Sequence, residues 1–224
     1  MKTLIFMLIT ILILVMISCG NSSTGPSGST GGEQYYPLTT GNTWDLQLSG
    51  TFTFDSLPLQ EISGEISWII TGDTTHSEGF QLFNWQETSI REISIGGQTI
   101  STDTLIFVNY VAEVDSVIRA YHSPSSSIYR IWMKYPLAIG DWWYSDPDFP
   151  SRIMTVLSVD TSITVPAGSF NECVYIQQTE PEFPDSYVDY YYAPGVGPVK
   201  YIVHTEFIQS VYHSVAEMVE YSVL

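Results

Sequence analysis

Positive charge is what this sequence has least of. Seven Lys and Arg stand against 24 Asp and Glu in 224 residues, for a formal net charge of -17. Nucleic-acid binding needs clustered cations to neutralise phosphates, so the deficit argues against a nucleic-acid partner. It argues equally against docking on anionic lipid by charge alone. Cysteine is scarce as well, with two in the chain, which excludes a disulfide-stapled scaffold and a cysteine-rich zinc module. No G-x-S-x-G elbow, H-E-x-x-H pair or phosphate-cradling glycine loop occurs. No window between residues 35 and 224 has a convincing helical periodicity; Ser210–Glu220 comes nearest and alternates just as well. What the chain does have is aromatic mass, with 15 Tyr and 6 Trp. That is ample for a packed core, and the length suits one ordinary domain, or two small ones.

The N-terminus reads as targeting rather than fold. Lys2 supplies a positive start, and Leu4 to Ile17 form an apolar run broken only by Thr10. The run is shorter than the roughly 20 residues of a spanning helix. It ends in Met16-Ile17-Ser18-Cys19-Gly20, which resembles a bacterial lipobox, with Met16 where that pattern prefers Leu. The resemblance implies a signal peptide over residues 1–18 and a Cys19 carrying diacylglycerol, a palmitate-type anchor in a membrane. An ordinary secretory signal cut near Ser18 and an uncleaved anchor are the alternatives. Residues 19–34 are rich in Gly, Ser and Thr and contain no large apolar side chain, a composition suited to a flexible tether. If Cys19 is lipidated, Cys173 is left alone. Its apolar surroundings, Cys173-Val174-Tyr175-Ile176, mark a small core residue. Gly20 in place of Asp after Cys19 implies, within the same resemblance, outer-membrane sorting.

From Tyr35 onward apolar side chains recur every second residue, as in Trp44–Leu48, Ile62–Ile70, Ser89–Ile95, Val114–Tyr121, Ile128–Lys134, Ile153–Val165 and Tyr187–Tyr192. Period two in Val, Ile, Thr, Tyr and Trp is the mark of half-buried antiparallel strands. Turn signals fall at Gly72-Asp73, Gly96-Gly97, Ser123-Pro124, Pro147-Asp148, Pro166-Ala167-Gly168 and Pro194-Gly195. The expectation is a single all-β domain over residues 35–224. It has about ten to twelve antiparallel strands by their usual spacing, in a strongly curved sheet, a sandwich or a partly open barrel.

One internal echo is present. Tyr36-Pro37-Leu38, Gly41 and Trp44 return at the same spacing as Tyr135-Pro136-Leu137, Gly140 and Trp143. Pro and Gly suit a corner that a Trp then plugs. The copies mark either two duplicated halves or one recurring device. The device is favoured, because the following strands align no further.

Three fragments, Tyr36-Pro37-Leu38 with Gly41-Asn42 and Trp44, Val165-Pro166-Ala167-Gly168 with Phe170, and Tyr192-Ala193-Pro194-Gly195-Val196-Gly197 with Val199-Lys200, together resemble bacterial envelope β-proteins of poorly defined function, the DUF3108 and TapB-like families. The resemblance implies an exported, β-rich, open-barrel-like domain and supplies no catalytic residues. Pro198 departs from it at a position where an aliphatic residue is expected. Read from the residues, Pro166 and Gly168 make a turn ahead of Phe170, and Gly195 and Gly197 permit a bend too tight for a bulky side chain.

Candidate chemistry is sparse, and neither a cofactor nor a metal is expected. His204 and His213 fall on opposite faces of one strand, or side by side if a hairpin turns near Gln209-Ser210. Asp141, Asp146 and Asp148, and the group Glu180, Glu182, Asp185 and Asp189 in a Pro-rich loop, lack a Ca²⁺-loop spacing and read as solvated turns. Trp142, Trp143, Tyr144 and Tyr190–Tyr192 suggest a sugar-stacking face, but alternation sends part of each run into the core. Three functions follow in order: a non-enzymatic, lipid-anchored envelope domain binding an apolar or amphipathic ligand, or a partner protein; a structural component of an envelope complex; and a carbohydrate hydrolase using Asp141, Asp146 or Asp148.

Overall fold

The computed structural model describes residues 35–224, except residues 56, 149 and 150. Residues 1–34, with the expected signal segment, Cys19 and tether, lie outside the described residues. The described chain forms twelve strands: β1 (Thr43–Phe54), β2 (Gln60–Thr75), β3 (Gln81–Ile95), β4 (Gln98–Val114), β5 (Val117–Tyr121), β6 (Tyr129–Lys134), β7 (Trp142–Tyr144), β8 (Ile153–Val165), β9 (Gly168–Glu180), β10 (Phe183–Ala193), β11 (Gly197–Phe207) and β12 (Ser210–Ser222). Each pairs antiparallel with its chain neighbour, apart from β6 and β7, and β1 pairs with β12. The result is a nearly closed, barrel-shaped sheet with one unsealed seam, between β6 and β7. Across that seam the Ile131 amide donates to the Ser145 carbonyl at 2.6 Å, and the Trp143 indole donates to the Ile131 carbonyl at 3.3 Å.

The alternation that predicts the strands also decides which way they face. On β1, Trp44, Leu46, Leu48 and Phe52 are buried, while Asp45, Ser49 and Thr51 are not. On β1 the apolar row faces inward and the polar row outward, the reverse of a membrane-spanning strand, whose apolar band faces lipid. Ser210–Glu220, the nearest approach to a helix in the sequence, belongs to β12 with the same alternating burial.

Turns account for the differences from expectation. Gly72-Asp73 is no turn; it lies within β2, where the pairing with β3 slips between Ile70 and Gly72, a bulge. Val114–Tyr121 is not one strand. Asp115 and Ser116, both at positive φ, form a two-residue hairpin between β4 and β5. The acidic stretch around Glu180–Asp189 is a hairpin rather than a loop, with Asp185 and Asp189 on β10.

The echoed motif forms one corner twice. The Gly41 amide donates to the Ile70 carbonyl at 2.8 Å, and the Ile70 amide donates to the Asn42 carbonyl at 3.0 Å. In the second copy, Gly140 donates to Val156 and Val156 donates to Asp141, each at 2.9 Å. Trp44 and Trp143 are both buried beyond these corners. The device reading holds locally, but the placement goes further: the copies open β1 and β7, the first strands of two six-stranded meanders.

The three motif fragments converge at the end of the barrel where β1 begins. The Trp44 indole N–H donates to the Val196 carbonyl at 2.7 Å, and the Ala167 amide donates to the Met218 carbonyl at 2.9 Å. Tyr36 packs on Tyr192 with ring centroids 4.9 Å apart, and Phe170 meets Tyr221 at 6.0 Å. Gly197 has φ of 104°, and a Cβ there would lie 3.2 Å from Trp44 Nε1. Gly197→Ala is therefore expected to cost about 1–3 kcal/mol. Gly72→Ala, where a Cβ would come no nearer than 3.8 Å to Asn84 Nδ2, should be near neutral. Equal melting temperatures for the two variants would contradict this packing.

Candidate functional site

The interior is not uniformly apolar. In the half nearest the motif-bearing end a chain of rings runs along its inner face. Trp85 lies 4.9 Å from Trp44 and 5.8 Å from Trp68, and Trp68 stacks on Tyr201 at 6.1 Å. Tyr201 leads to Tyr190, Tyr192 and Tyr36. Trp68 is on β2 and Tyr201 on β11, with β1 and β12 between them in the sheet. Their contact therefore passes over the inner face of β1 and β12.

Beyond that stack the inward positions of β3 turn polar. Trp85 and Ile93 fix the inward phase, and Glu87, Ser89 and Arg91 share it. All three are buried. The Glu87 carboxylate accepts the Trp68 indole N–H at 2.9 Å. Burial pushes its pKa up to about 8, against the opposing effects of that hydrogen bond and of the Arg91 charge. Arg91 is 8% exposed and sits beside the Tyr212 hydroxyl, which also neighbours Ser214. Burial raises the Tyr212 pKa. Arg91 Nε is buried with no hydrogen-bond partner, and no ion pair joins Arg91 to a carboxylate among the described residues. Asp103 is its cross-strand neighbour on β4, half-buried and likewise outside ion-pair contact.

Two glycines shape the wall between Arg91 and Tyr212. A Cβ at Gly64 would collide with the Ile90 carbonyl, and one at Gly50 with the His213 carbonyl. Such close approach marks sharp bends in β2 and β1. Both positions fall on the inward phase of their strands, so the inner wall between β3 and β12 carries no side chain at these two places.

The residues singled out in the sequence lie elsewhere. Asp141 Oδ2 accepts the Ala138 amide at 2.8 Å within its corner, and Asp146 Oδ1 accepts the Asp148 amide at 3.3 Å. Glu180 pairs with Arg152 at 2.8 Å. Asp189 is buried on the outer face, where its Oδ1 accepts the Tyr175 hydroxyl and the Gln177 amide, each at 2.9 Å. Trp142 and Tyr144 are exposed and meet edge to face at 5.5 Å, while Trp143 is buried. The β11–β12 hairpin does bring His204 opposite His213, with ring centroids 5.8 Å apart and His204 against Glu206 at 3.1 Å. No group of three or more His, Cys, Asp or Glu is placed to hold a metal ion among the described residues. Cys173 is a buried free thiol, as its apolar surroundings suggest. Burial pushes its pKa up to about 11.

With this geometry in view, the chain is similar in fold to two solved structures. One is a predicted exported protein with a YmcC-like fold from Bacteroides fragilis, at 11% identity and a TM-score of 0.42, over 83% of this chain and 97% of that one. The other is a predicted lipoprotein from Parabacteroides distasonis, at 14% identity and a TM-score of 0.33, over 86% and 100%. No family model matches the chain, so membership of the DUF3108 or TapB-like families is not shown, and no curated protein matches it in sequence.

The Glu87 carboxyl has a testable signature. Between pH 4.5 and about 8 the folded protein is expected to keep a proton there that the unfolded chain has released. Stability should therefore fall as pH rises from about 4.5 toward 8, by at most ~1.4 kcal/mol per pH unit. Glu87→Gln should flatten that slope and melt above the parent at pH 8, as followed by circular dichroism. Parallel pH profiles for the two proteins would show that Glu87 is ionised in the fold.

Proposed function

We propose that this protein is a non-enzymatic, lipid-anchored domain of the bacterial cell envelope whose barrel interior binds an amphipathic ligand. The lipobox resemblance at Cys19, the tether after it and the outward polar face of the strands support the anchored, exported setting. One observation carries the binding role: a buried guanidinium, Arg91, faces the lumen with an unpartnered Nε. Burying a cation without a full set of partners is costly, so such a group is retained where something else completes it. Apolar inward positions at Phe52, Ile62 and Ile93 flank it. Buried apolar walls with few polar groups are the usual make-up of a small-molecule site.

A second reading, a role in assembling an envelope complex, is favoured by β4. Its partner β5 covers only Tyr110–Val114, so Gln98–Asn109 is hydrogen-bonded to β3 alone in the sheet. Ile100, Ile106 and Val108 along that stretch are exposed. An uncovered, β-branched edge invites strand addition from another chain.

Native mass spectrometry of the full chain, produced in an exporting host and purified without detergent, separates the two. The binding role predicts extra mass that disappears on denaturation. A bare polypeptide mass, with a protein partner recovered by cross-linking in membranes and lost in Ile106→Lys, would favour assembly instead.

A further inference from the structure

Few cations are available to this chain, and where they go is informative. Arg152 pairs with Glu180 and Lys200 with Glu217. Arg119 lies over the Tyr129 ring at 4.7 Å and reaches Asp115 at 3.7 Å. Arg91 is different. The sequence has 24 carboxylate side chains, yet Arg91 is buried inside the barrel and no ion pair joins it to a carboxylate among the described residues. Two carboxyl groups neighbour it in the fold. Glu87, four residues back on the same inward row, accepts the Trp68 indole N–H at its carboxyl Oε2. Asp103 faces Arg91 across the β3–β4 ladder without closing on it.

We infer that the interior site selects an anionic head group, a carboxylate on a single apolar chain, held by Arg91 Nε and the Tyr212 hydroxyl. This rests on the interior-binding role proposed above and adds the chemistry of the ligand. A guanidinium offers a planar fork of donors matched to two carboxylate oxygens, and a phenol adjoining it adds a third donor. The glycines at 50 and 64 place no side chain on the wall at those two positions, and the guanidinium reaches the Tyr212 hydroxyl as a hydrogen-bonding neighbour, so the two groups sit together at one place. Glu87 does not compete for the guanidinium, because its burial favours the uncharged acid. Asp103, half-buried at the edge of the site, disfavours a dianion such as a phosphate monoester and leaves room for one negative charge.

The test uses the full chain, purified without detergent, with dansylaminoundecanoic acid and its methyl ester as fluorescent probes. The acid is expected to bind at least about tenfold more tightly than the ester, the scale of one charge-assisted contact. Arg91→Gln should remove that preference, and Tyr212→Phe, which keeps the ring, should reduce it. Circular dichroism melts establish that each variant is folded, and Tyr212→Phe preserves the test if Arg91→Gln is not. Equal binding of acid and ester, unchanged in the variants, would overturn the head-group inference and leave interior binding standing. Binding of neither probe would overturn both.

Discussion

One hydrogen bond joins what the chain makes separately. The Trp44 indole, on the first strand of the first meander, donates to the Val196 carbonyl in the β10–β11 turn of the second. The β1–β12 ladder alone would hold the two six-stranded halves as an open, twisting sheet. Trp44 draws the later turn over the end of the first half, and Gly197 is the residue whose missing side chain makes room. From that contact follow the packing of Tyr36 on Tyr192 and of Trp44 on Trp85. The aromatic chain along the inner face follows in turn. A sealed end allows the rest of the interior to be something other than core.

The interior divides accordingly. Aromatic rings line the half behind the Trp44 plug, and the run of polar inward residues on β3, Glu87, Ser89 and Arg91, lies past Trp85. A carboxyl, a guanidinium and a phenol in that position would be a liability in a purely structural core, since apolar replacements of similar volume are usually as stable or more so. Their cost is intelligible if the lumen receives a ligand. The seam between β6 and β7 and the uncovered half of β4 lie on one side of the same barrel, so access and exposure share a cause. Strands β5, β6 and β7 are too short to continue the wall.

Much of the fold was legible because alternation is a local signal. Ile153–Val165 matches β8 at both ends, and Ile62–Ile70 lies within β2. Turns were less so. Gly72 looks like punctuation but serves a bulge, while Asp115-Ser116 lacks the glycine that normally announces a two-residue hairpin. Each copy of the corner motif makes a hydrogen-bonded turn with a buried Trp beyond it, and only the topology reveals that the copies head equivalent meanders. The buried polar row on β3 was missed for a specific reason. Along Trp85–Ile93 the apolar phase is interrupted by Glu87, Ser89 and Arg91, and Ile90 on the opposite phase disguises the interruption. Extending the phase set by Trp85 and Ile93 would have placed a carboxyl and a guanidinium inside. No sequence pattern could have paired Arg91 with Tyr212, because three strand steps separate β3 from β12 in the sheet.

The central claim is that the Arg91 guanidinium is built to be completed by something other than this chain. A crystal structure of the full chain grown with an excess of a long-chain carboxylate tests it directly. The expected result is a carboxylate within hydrogen-bond reach of Arg91 Nε and the Tyr212 hydroxyl, with its alkyl chain running past Phe52, Ile62 and Ile93. An Arg91 closed into an ion pair with Asp103 or Glu87, in a lumen filled by side chains alone, would contradict it.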